Sequence, residues 1–337
     1  MSLSQRLQRE WLAGGSLVQL LRPLAAIYGL LLRVRARSVT PQTLPVPVIV
    51  VGNWIVGGAG KTPTTLALLG LLKTMGIRAG VISRGYGRTA NQVAEVSRSC
   101  SAAEVGDEPL LIHLRTGVPV AVGRDRVAAA RALLQAHPAL QILISDDGLQ
   151  HLRLPRALAI LVFDERGIGN GRLLPAGPLR QPPATTLAAN ELVLYNAERP
   201  STPLTGFLAR RSLSGAVALA DWWQGRPASI AALHALRGKP LVATAGMAQP
   251  QRFFDMLTEQ GLNFDALPLP DHDAFNTLPW PPGTADVLLT EKDAVKLRPE
   301  RMGATRVWVV TLDFKPEHAF EQALRERLAV LQLPLLP

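Results

Sequence analysis

The stretch VGNWIVGGAGKTP, residues 51–63, places glycines, a lysine and a threonine in the order that binds phosphate in many nucleotide-binding proteins. The standard pattern is G-x-x-x-x-G-K-[ST]. Gly60, Lys61 and Thr62 match its end, whereas Ile55 stands where the first glycine is expected. The sequence therefore departs from the standard motif at one position, although the lysine and the threonine that bind phosphate and metal ion are both present.

The loop still has the parts that hold a nucleotide. Gly57 and Gly58 give the backbone the freedom to turn successive N–H groups toward a phosphate. Lys61 is expected to neutralise the β and γ phosphates and Thr62 to coordinate Mg²⁺. A proline suits the first turn of the helix that follows, whose positive end faces the anion. The predicted nucleotide-binding residues are Gly57, Gly58, Ala59, Gly60, Lys61, Thr62 and Pro63.

Two carboxylates further along the chain fit the same chemistry. The apolar stretch 143–145 predicts a strand, and Asp146 and Asp147 follow at its carboxyl end, where an acidic Mg²⁺ ligand belongs. An ordinary glycine-rich turn or a solvated acidic turn would look the same if either feature stood alone. Together they predict a P-loop site for ATP and Mg²⁺, with Thr62, Asp146 and Asp147 as the metal-binding residues.

The elements that must position these residues alternate between strands and helices. Runs that are apolar along their whole length are typical of strands covered on both faces of a parallel sheet. The predicted strands of the first half are Val46–Val51, Gly80–Ser83, Val118–Val122, Gln141–Ser145, Leu158–Phe163 and Glu191–Tyr195, and the predicted helices are Thr64–Lys73 and Arg126–Ala136.

A second alternation follows a less regular segment, Ser201–Gln224, which we expect to contain the crossing between domains. Its predicted elements are Pro240–Ala245, Gln249–Gln260, Asp286–Thr290, Arg306–Thr311 and His318–Leu331. The sequence thus predicts an α/β fold of two α/β/α sandwich domains with an N-terminal amphipathic helix. The predicted segments are 1–37 for the helix, 38–220 for a P-loop NTPase-like kinase domain and 225–337 for a smaller α/β domain.

The N-terminal segment is basic and amphipathic. Residues 1–37 hold six arginines against Glu10, a net charge of +5 out of +10 for the chain. Apolar residues recur there at helical spacing. These residues are Leu17, Leu20, Leu21, Leu24, Ile27, Tyr28 and Leu31. Arg22 and Pro23 interrupt the apolar stretch at its middle, which disfavours a membrane-spanning helix. Either a helix lying on a membrane surface or a helix packed on the protein's own core explains the pattern.

The composition and one local residue argue against several other classes of protein. Cys100 is the only cysteine, so no intrachain disulfide and no multi-cysteine zinc site can form. The positive charge is compatible with nucleic acid, but 5% aromatic residues and the lack of a recognisable binding motif disfavour that partner. A membrane-associated P-loop switch ATPase is a further alternative. Such proteins often place a lysine just before the paired glycines, where this chain has Val56.

Seven motifs, taken in order, resemble those of the tetraacyldisaccharide 4′-kinase family, the lipid A 4′-kinases. The resemblance covers about residues 11–330, and the set is specific although no single motif would be. The motifs are GNWIVGGAGKTP, SRGYGR (Ser83–Arg88), GDEP (Gly106–Pro109), DDGLQH (Asp146–His151), NGRLLPAGPLR (Asn170–Arg180), PDHDAF (Pro270–Phe275) and TEKDAVK (Thr290–Lys296).

The resemblance implies a function. Members of this family transfer the γ-phosphate of ATP to the 4′-hydroxyl of a tetraacylated glucosamine disaccharide 1-phosphate in lipid A biosynthesis. They act as peripheral proteins at the cytoplasmic face of the bacterial inner membrane, with an N-terminal helix at the membrane. The expected partners are therefore this lipid and the membrane, with neither nucleic acid nor a protein partner predicted. The family's phosphate loop also departs from the standard first glycine.

The resemblance also assigns roles to individual residues. Lys61 matches the family's phosphate-binding lysine, Asp107 its proposed general base and His272 the histidine thought to assist that base. The positions matching motifs associated with the lipid headgroup are Tyr86, Arg126, Gln150 and Arg172. The family's common DHH sequence reads Asp271–His272–Asp273 here, so the second histidine is missing.

Simpler interpretations remain beside these roles. Asp107 could cap a helix that starts at Pro109. The segment 271–273 could be a polar turn, and His151 a structural histidine. The TEKDAVK motif has the charge of an exposed loop, and we assign it no chemistry. If Asp107 and His272 do act together, the predicted segments place them in different domains, so that the pair would form across a cleft.

Overall fold

The structure, a computed structural model, describes residues 10–11, 14–247, 249–331 and 333. The chain divides into two compact units, and each is discontinuous in sequence. Unit 1 comprises Met1–Ser83, Asp125–Arg210 and Lys315–Pro337, and unit 2 comprises Arg84–Arg124 and Arg211–Phe314.

Unit 1 is built on a parallel sheet. Its central strand is β1 (Val48–Gly52), which pairs in parallel with the strand Ile142–Asp146 on one side and with Leu158–Phe163 on the other. Beyond these lie Ala79–Ser83 and Glu191–Tyr195, also parallel. Nearly every residue of the five strands is buried, so both faces of the sheet are covered, as the continuous apolar runs predict.

Beyond its N-terminal segment, unit 1 contains helices of which one begins at a side-chain cap. The helix Lys61–Thr74 follows β1 through the phosphate loop, and Thr64, Leu68 and Leu72 are among the residues it buries. The helix Arg126–Ala136 begins at Asp125, whose side chain accepts hydrogen bonds from the N–H groups of residues 127 and 128. The last described helix, His318–Ala329, also belongs to unit 1.

The N-terminal segment forms two helices, Ser16–Leu20 and Arg22–Ser38, while residues 1–9 and 12–13 of the predicted amphipathic helix lie outside the described residues. The longer helix turns small residues inward, since Ala25 and Gly29 are buried. Five of its large apolar side chains are exposed by half or more. They are Leu24 53%, Ile27 56%, Leu30 59%, Leu31 60% and Val34 54%. Within the described part of the chain, no helix has the length and apolarity needed to cross a bilayer.

Unit 2 contains a second parallel sheet in which the strand Leu241–Ala245 lies between Asp265–Pro268 and Asp286–Thr290. The long strand Arg306–Pro316 pairs with Asp286–Thr290 on its other side. Phe253, Phe254 and Leu257 of the helix Pro250–Glu259 pack in the core of this unit. The remaining elements are the short antiparallel strands Ala94–Glu95 and Val120–Val122, the helices Ala102–Val105, Asp107–Thr116, Leu219–Trp223, Ile230–His234 and Glu291–Ala294, and the 3₁₀ turn Pro299–Arg301.

The α/β fold class is confirmed, but the units differ from the predicted segments. Residues 84–124 belong to unit 2, although they lie in the middle of the segment predicted as the kinase domain. The crossing at Arg210 to Arg211 does fall in the segment predicted to contain one. That segment is not irregular, however, because it holds the 12-residue strand Phe207–Ala218. The two adjacent arginines and the serines of this strand interrupt the apolar pattern from which a strand is predicted.

Candidate active site

The phosphate loop of unit 1 runs from the end of β1 to the helix that begins at Lys61. Gly57 and Gly60 have φ values of 92° and 95°, which glycine adopts freely and other residues rarely do. Gly60 is the N-cap of the helix and supplies no side-chain cap. The N–H groups of the first turn are therefore left for an anion, at the positive end of the helix.

Each of the four carbonyl groups from 57 to 60 accepts a hydrogen bond from a side chain. Nζ of Lys61 donates to Gly57 (3.2 Å), and Nη2 of Arg166 donates to Gly58 (2.9 Å). Nδ2 of Asn196 donates to Ala59 (2.8 Å), and Oγ1 of Thr64 donates to Gly60 (2.9 Å). A loop whose carbonyls are fixed in this way has the direction of its N–H groups fixed as well.

Arg166 and Asn196 are functional candidates that the sequence analysis missed. Arg166 forms a salt bridge of 2.7 Å with Asp164, whose side chain is 2% exposed, and so presents a fixed guanidinium to the loop. Asn196 comes directly after the strand Glu191–Tyr195 and is 3% exposed. A polar residue at the carboxyl end of a buried strand was the available signal for Asn196.

Lys61 lies among oxygen atoms. Besides its bond to the loop, its Nζ is 3.4 Å from Oδ1 of Asn53 and 3.8 Å from Oδ1 of Asp147. Its side chain is 11% exposed. A cation held here can neutralise a phosphate on the loop, as the sequence predicts.

The acidic pair lies at the carboxyl end of its strand. Asp146 is 1% exposed and accepts a hydrogen bond of 3.0 Å from Oγ1 of Thr65. Asp147 has a left-handed backbone (φ 48°) and forms a salt bridge of 2.9 Å with Arg180. Burial raises the pKa of Asp147, but the positive charges of Lys61 and Arg180 outweigh it and hold that pKa below its usual value.

These residues suit a magnesium ion. Thr62 is buried at the start of the helix, and the hydroxyl and two carboxylates of Thr62, Asp146 and Asp147 are the hard oxygen donors that Mg²⁺ prefers. The low pKa of Asp147 keeps that carboxylate ionised at neutral pH. Arg180 also donates to the carbonyl of Asn53 at 3.0 Å. It is the last residue of the NGRLLPAGPLR motif, and the sequence alone predicts no role for it.

Three of the residues predicted to bind the lipid headgroup belong to unit 1. Nε2 of Gln150 donates to the carbonyl of Asn53 (3.2 Å) at the base of the phosphate loop. Arg126 is 6% exposed, and its charge contributes to the low pKa of Asp147. Arg172 is partly exposed, and its carbonyl accepts from the N–H of Leu179 at 3.1 Å. Tyr28 of the N-terminal helix donates to the carbonyl of Arg180 at 3.1 Å.

Unit 2 brings together the predicted acid–base residues. Nδ1 of His272 lies 2.9 Å from Oδ2 of Asp107, and the ring of Tyr86 is 5.4 Å from the ring of His272. Asp107 is 6% exposed. His272 has a left-handed backbone (φ 61°), a conformation that is uncommon outside glycine. Since both Asp107 and His272 belong to unit 2, the expectation that they come from different domains is wrong.

The pair shifts the titration of both its members. Burial raises the pKa of Asp107, but the hydrogen bond from His272 and the charges of Lys292, His272 and Lys296 together hold it below its usual value. The same hydrogen bond raises the pKa of His272, against burial and the charge of Lys292. These opposite shifts keep Asp107 ionised and leave the proton of their hydrogen bond on the imidazole.

Two simpler interpretations of this region are wrong. The N-cap of the helix Asp107–Thr116 is Gly106, which has φ 92°, and Asp107 is the first helical residue. The motif TEKDAVK is not an exposed loop either. Glu291 is 6% exposed and Asp293 0%, because each is paired within unit 2. His151 does accept a backbone hydrogen bond, from the N–H of Arg126 at 3.4 Å, as expected of a structural histidine.

Comparison with known proteins assigns the chain to a family. Residues 17–329 match the family model described as tetraacyldisaccharide-1-P 4′-kinase. The tetraacyldisaccharide 4′-kinase of Methylibium petroleiphilum is 58% identical over 336 residues, covering 96% of this chain and 94% of the relative. That of Leptothrix cholodnii is 51% identical over 331 residues, covering 96% and 95%.

A solved structure supports the same family assignment. The chain superposes on the crystal structure of the "apo" form of LpxK from Aquifex aeolicus in complex with ATP, with a TM-score of 0.76 and 27% identity. The match covers 93% of this chain and 98% of that one. The resemblance of the seven motifs is thus confirmed, and the chain belongs to the tetraacyldisaccharide-1-P 4′-kinase family.

Proposed function

We propose that this chain transfers the γ-phosphate of ATP to the 4′-hydroxyl of a tetraacylated glucosamine disaccharide 1-phosphate. The observation that carries the proposal is the phosphate loop, whose glycines and fixed carbonyls leave N–H groups and Lys61 for an anion. Phosphoryl transfer depends mainly on positioning and charge neutralisation, which this loop supplies.

Unit 1 holds the nucleotide in this proposal. The N–H groups of residues 57–62 and the Lys61 ammonium bind the phosphates, and Thr62, Asp146 and Asp147 are the residues that would hold Mg²⁺. When bound, Mg²⁺ neutralises phosphate oxygens and orients them. Arg180 keeps Asp147 in place through the salt bridge between them.

Unit 2 holds the proton acceptor. As the oxygen of the 4′-hydroxyl bonds to the γ-phosphorus, its O–H bond breaks and the proton passes to the carboxylate of Asp107, while ADP leaves with the electrons of the cleaved P–O bond. His272 orients the carboxylate through its Nδ1 hydrogen bond. We propose that the lipid headgroup is bound by Tyr86, Arg126, Gln150 and Arg172. An arginine can make bidentate contacts with the 1-phosphate of this headgroup.

The N-terminal helix is the membrane contact in this proposal. Its exposed leucine and isoleucine side chains and the exposed Arg22, Arg33, Arg35 and Arg37 suit the surface of an anionic bilayer. Its buried side packs on the rest of unit 1 at Gly29, where an added Cβ would lie 2.9 Å from Leu173. We place the protein at the cytoplasmic face of the bacterial inner membrane, as a peripheral protein.

Product analysis tests the reaction. The purified chain is incubated with ATP, Mg²⁺ and the disaccharide lipid dispersed in detergent, and the lipid is then examined by mass spectrometry. We expect a lipid that is heavier by one phosphoryl group and carries it at the 4′ position. Release of inorganic phosphate at the same rate with and without lipid, and no change in the lipid, would instead indicate a switch ATPase.

Thr62→Ala tests the metal site. We expect lower turnover at limiting Mg²⁺ and partial recovery as Mg²⁺ is raised, because the variant lacks one oxygen ligand. The measurement is initial rate against Mg²⁺ concentration at saturating ATP. Thr74→Ala, at the far end of the same helix, is the matched control and should follow the unchanged chain. An identical Mg²⁺ dependence in both variants would exclude Thr62 as a ligand.

Replacing Leu24, Ile27 and Leu31 together by serine tests the membrane contact. Each buried apolar side chain contributes about 1.5–3 kcal/mol, so we expect binding to anionic vesicles to weaken by at least about tenfold. Sedimentation with vesicles measures this. Val330→Ser removes an apolar side chain that is 77% exposed elsewhere and should leave binding unchanged. Unweakened binding of the triple variant would place the membrane contact outside this helix.

A further inference from the structure

The motif TEKDAVK, Thr290–Lys296, is a fixed part of unit 2. Thr290 caps the short helix Glu291–Ala294 by accepting from the N–H of Asp293 (3.3 Å). The buried carboxylate of Asp293 accepts from the N–H of Gly246 (2.9 Å) and from Oγ1 of Thr290 (2.8 Å). These bonds determine where the two lysines of the motif point.

Lys292 reaches the histidine of the acid–base pair. Its Nζ is 2.7 Å from Oδ1 of Asp271 and 3.5 Å from Nε2 of His272. An ammonium group can only donate, so Nε2 is the acceptor in this contact. A neutral His272 then carries its proton on Nδ1, which is the nitrogen 2.9 Å from Asp107. One side of the ring faces a cation and the other a carboxylate.

Lys296 approaches Asp107 from the same motif. Its side chain is 7% exposed, and its Nζ is 3.2 Å from Asp293 and 4.0 Å from Oδ2 of Asp107. His272 also engages Oδ2. The other carboxylate oxygen, Oδ1, accepts only the N–H of Glu108 (3.0 Å) among the contacts that the described residues make with it.

We propose that Lys292 is a positioning residue of the reaction: through its contact with Nε2 it fixes His272 in the tautomer that donates to Asp107 and opposes protonation of the ring. The proposal rests on the proton-accepting role of Asp107 proposed above. It leaves Oδ1 of Asp107 as the atom that takes the proton from the acceptor hydroxyl.

The charges around the pair determine the sign of the effect. The groups facing His272 are Asp107, Asp271, Lys292 and the ring of Tyr86, and those facing Asp107 are His272, Lys292 and Lys296. Burial lowers the pKa of Lys292, but Asp271, Glu108 and Asp107 outweigh it and raise that pKa, so Lys292 stays charged. Its loss therefore raises the pKa of both His272 and Asp107, whereas loss of Asp271 lowers the pKa of His272.

Two variants with opposite expected shifts test the proposal by NMR. Titration of ¹⁵N-labelled histidine in the full chain reports the pKa and the tautomer of His272, and the spectrum of His272→Asn assigns its signals. We expect a higher pKa and a mixed tautomer in Lys292→Met, and a lower pKa in Asp271→Asn. Lys292→Arg keeps the charge and should restore the original pKa, and Lys239→Met, an exposed lysine of the same unit, should change neither quantity. Unchanged pKa and tautomer in both test variants would overturn the proposal.

The pH dependence of turnover links this shift to the reaction. A protonated ring would make Asp107 a weaker base, because its positive charge lowers the pKa of that carboxyl. We therefore expect the ratio of kcat at about pH 6 to kcat at about pH 8 to fall about 3- to 10-fold in Lys292→Met and to recover in Lys292→Arg. A ratio that does not fall would overturn the role in the reaction. Asp107→Asn separates the two proposals: full turnover in that variant would remove the general base, while the NMR result for Lys292 would stand by itself.

Discussion

We expect Lys61→Ala to lose about 10²–10³-fold in kcat, the effect of removing one preorganised charge from a transferring phosphoryl group. Its Nζ lies beside the loop carbonyl of Gly57 and beside Asp147, and not in the hydrophobic core, so the variant should fold and melt near the temperature of the unchanged chain. Rates with the lipid substrate and a thermal melt measure the two quantities.

Lys73→Ala is the matched control, because this exposed lysine lies in the last turn of the same helix, away from the loop. It should retain both activity and stability. Near-normal phosphorylation by Lys61→Ala would remove the loop from the mechanism. A large drop in melting temperature would instead show that the lysine mainly stabilises the loop.

Asp107→Asn and His272→Ala should each reduce turnover by about 10²–10⁴-fold, the usual contribution of general-base assistance. Because the two side chains are joined by a 2.9 Å hydrogen bond, their losses should not multiply. The double variant should be little worse than the poorer single one. Rates of all four proteins at saturating ATP complete the cycle.

Affinity for ATP separates this role from nucleotide binding. Both residues belong to unit 2 and the phosphate loop to unit 1, so the variants should bind ATP with nearly unchanged Kd. Asp265→Asn, an exposed aspartate of unit 2, is the control. Fully multiplicative losses would show that the residues act independently. A large loss of ATP affinity in Asp107→Asn would assign that residue to the nucleotide site.

Local patterns in the sequence predict the parallel strands and the phosphate loop. Strand Val48–Gly52 is apolar throughout because both its faces are buried, and the glycines at 57 and 60 are needed for positive φ. Local patterns do not report which sheet a segment joins. Residues 84–124 alternate like their neighbours, and only tertiary packing assigns them to unit 2.

Long-range pairing also decides which polar residues are buried. Charge alone predicts an exposed TEKDAVK segment, but Glu291 accepts from Nε1 of Trp222 at 3.1 Å, a residue 69 positions away. Arg166 and Asn196 support the phosphate loop from 108 and 137 positions away. No spacing rule connects such distant residues, so the sequence predicts the loop and its local donors without the two distant side chains that help to hold it.

The four carbonyls of residues 57–60 already accept hydrogen bonds, so the loop does not lose its conformational entropy when the nucleotide binds. Fixing one residue's backbone costs about 1–2 kcal/mol of conformational entropy, so ordering four residues on binding would cost about 4–8 kcal/mol. Here the donors are Lys61, Thr64, Arg166 and Asn196, all internal to the protein, so that entropy is lost during folding. Nucleotide can therefore associate with a receptor that is already shaped, and its affinity reports mainly the electrostatic contacts that it makes.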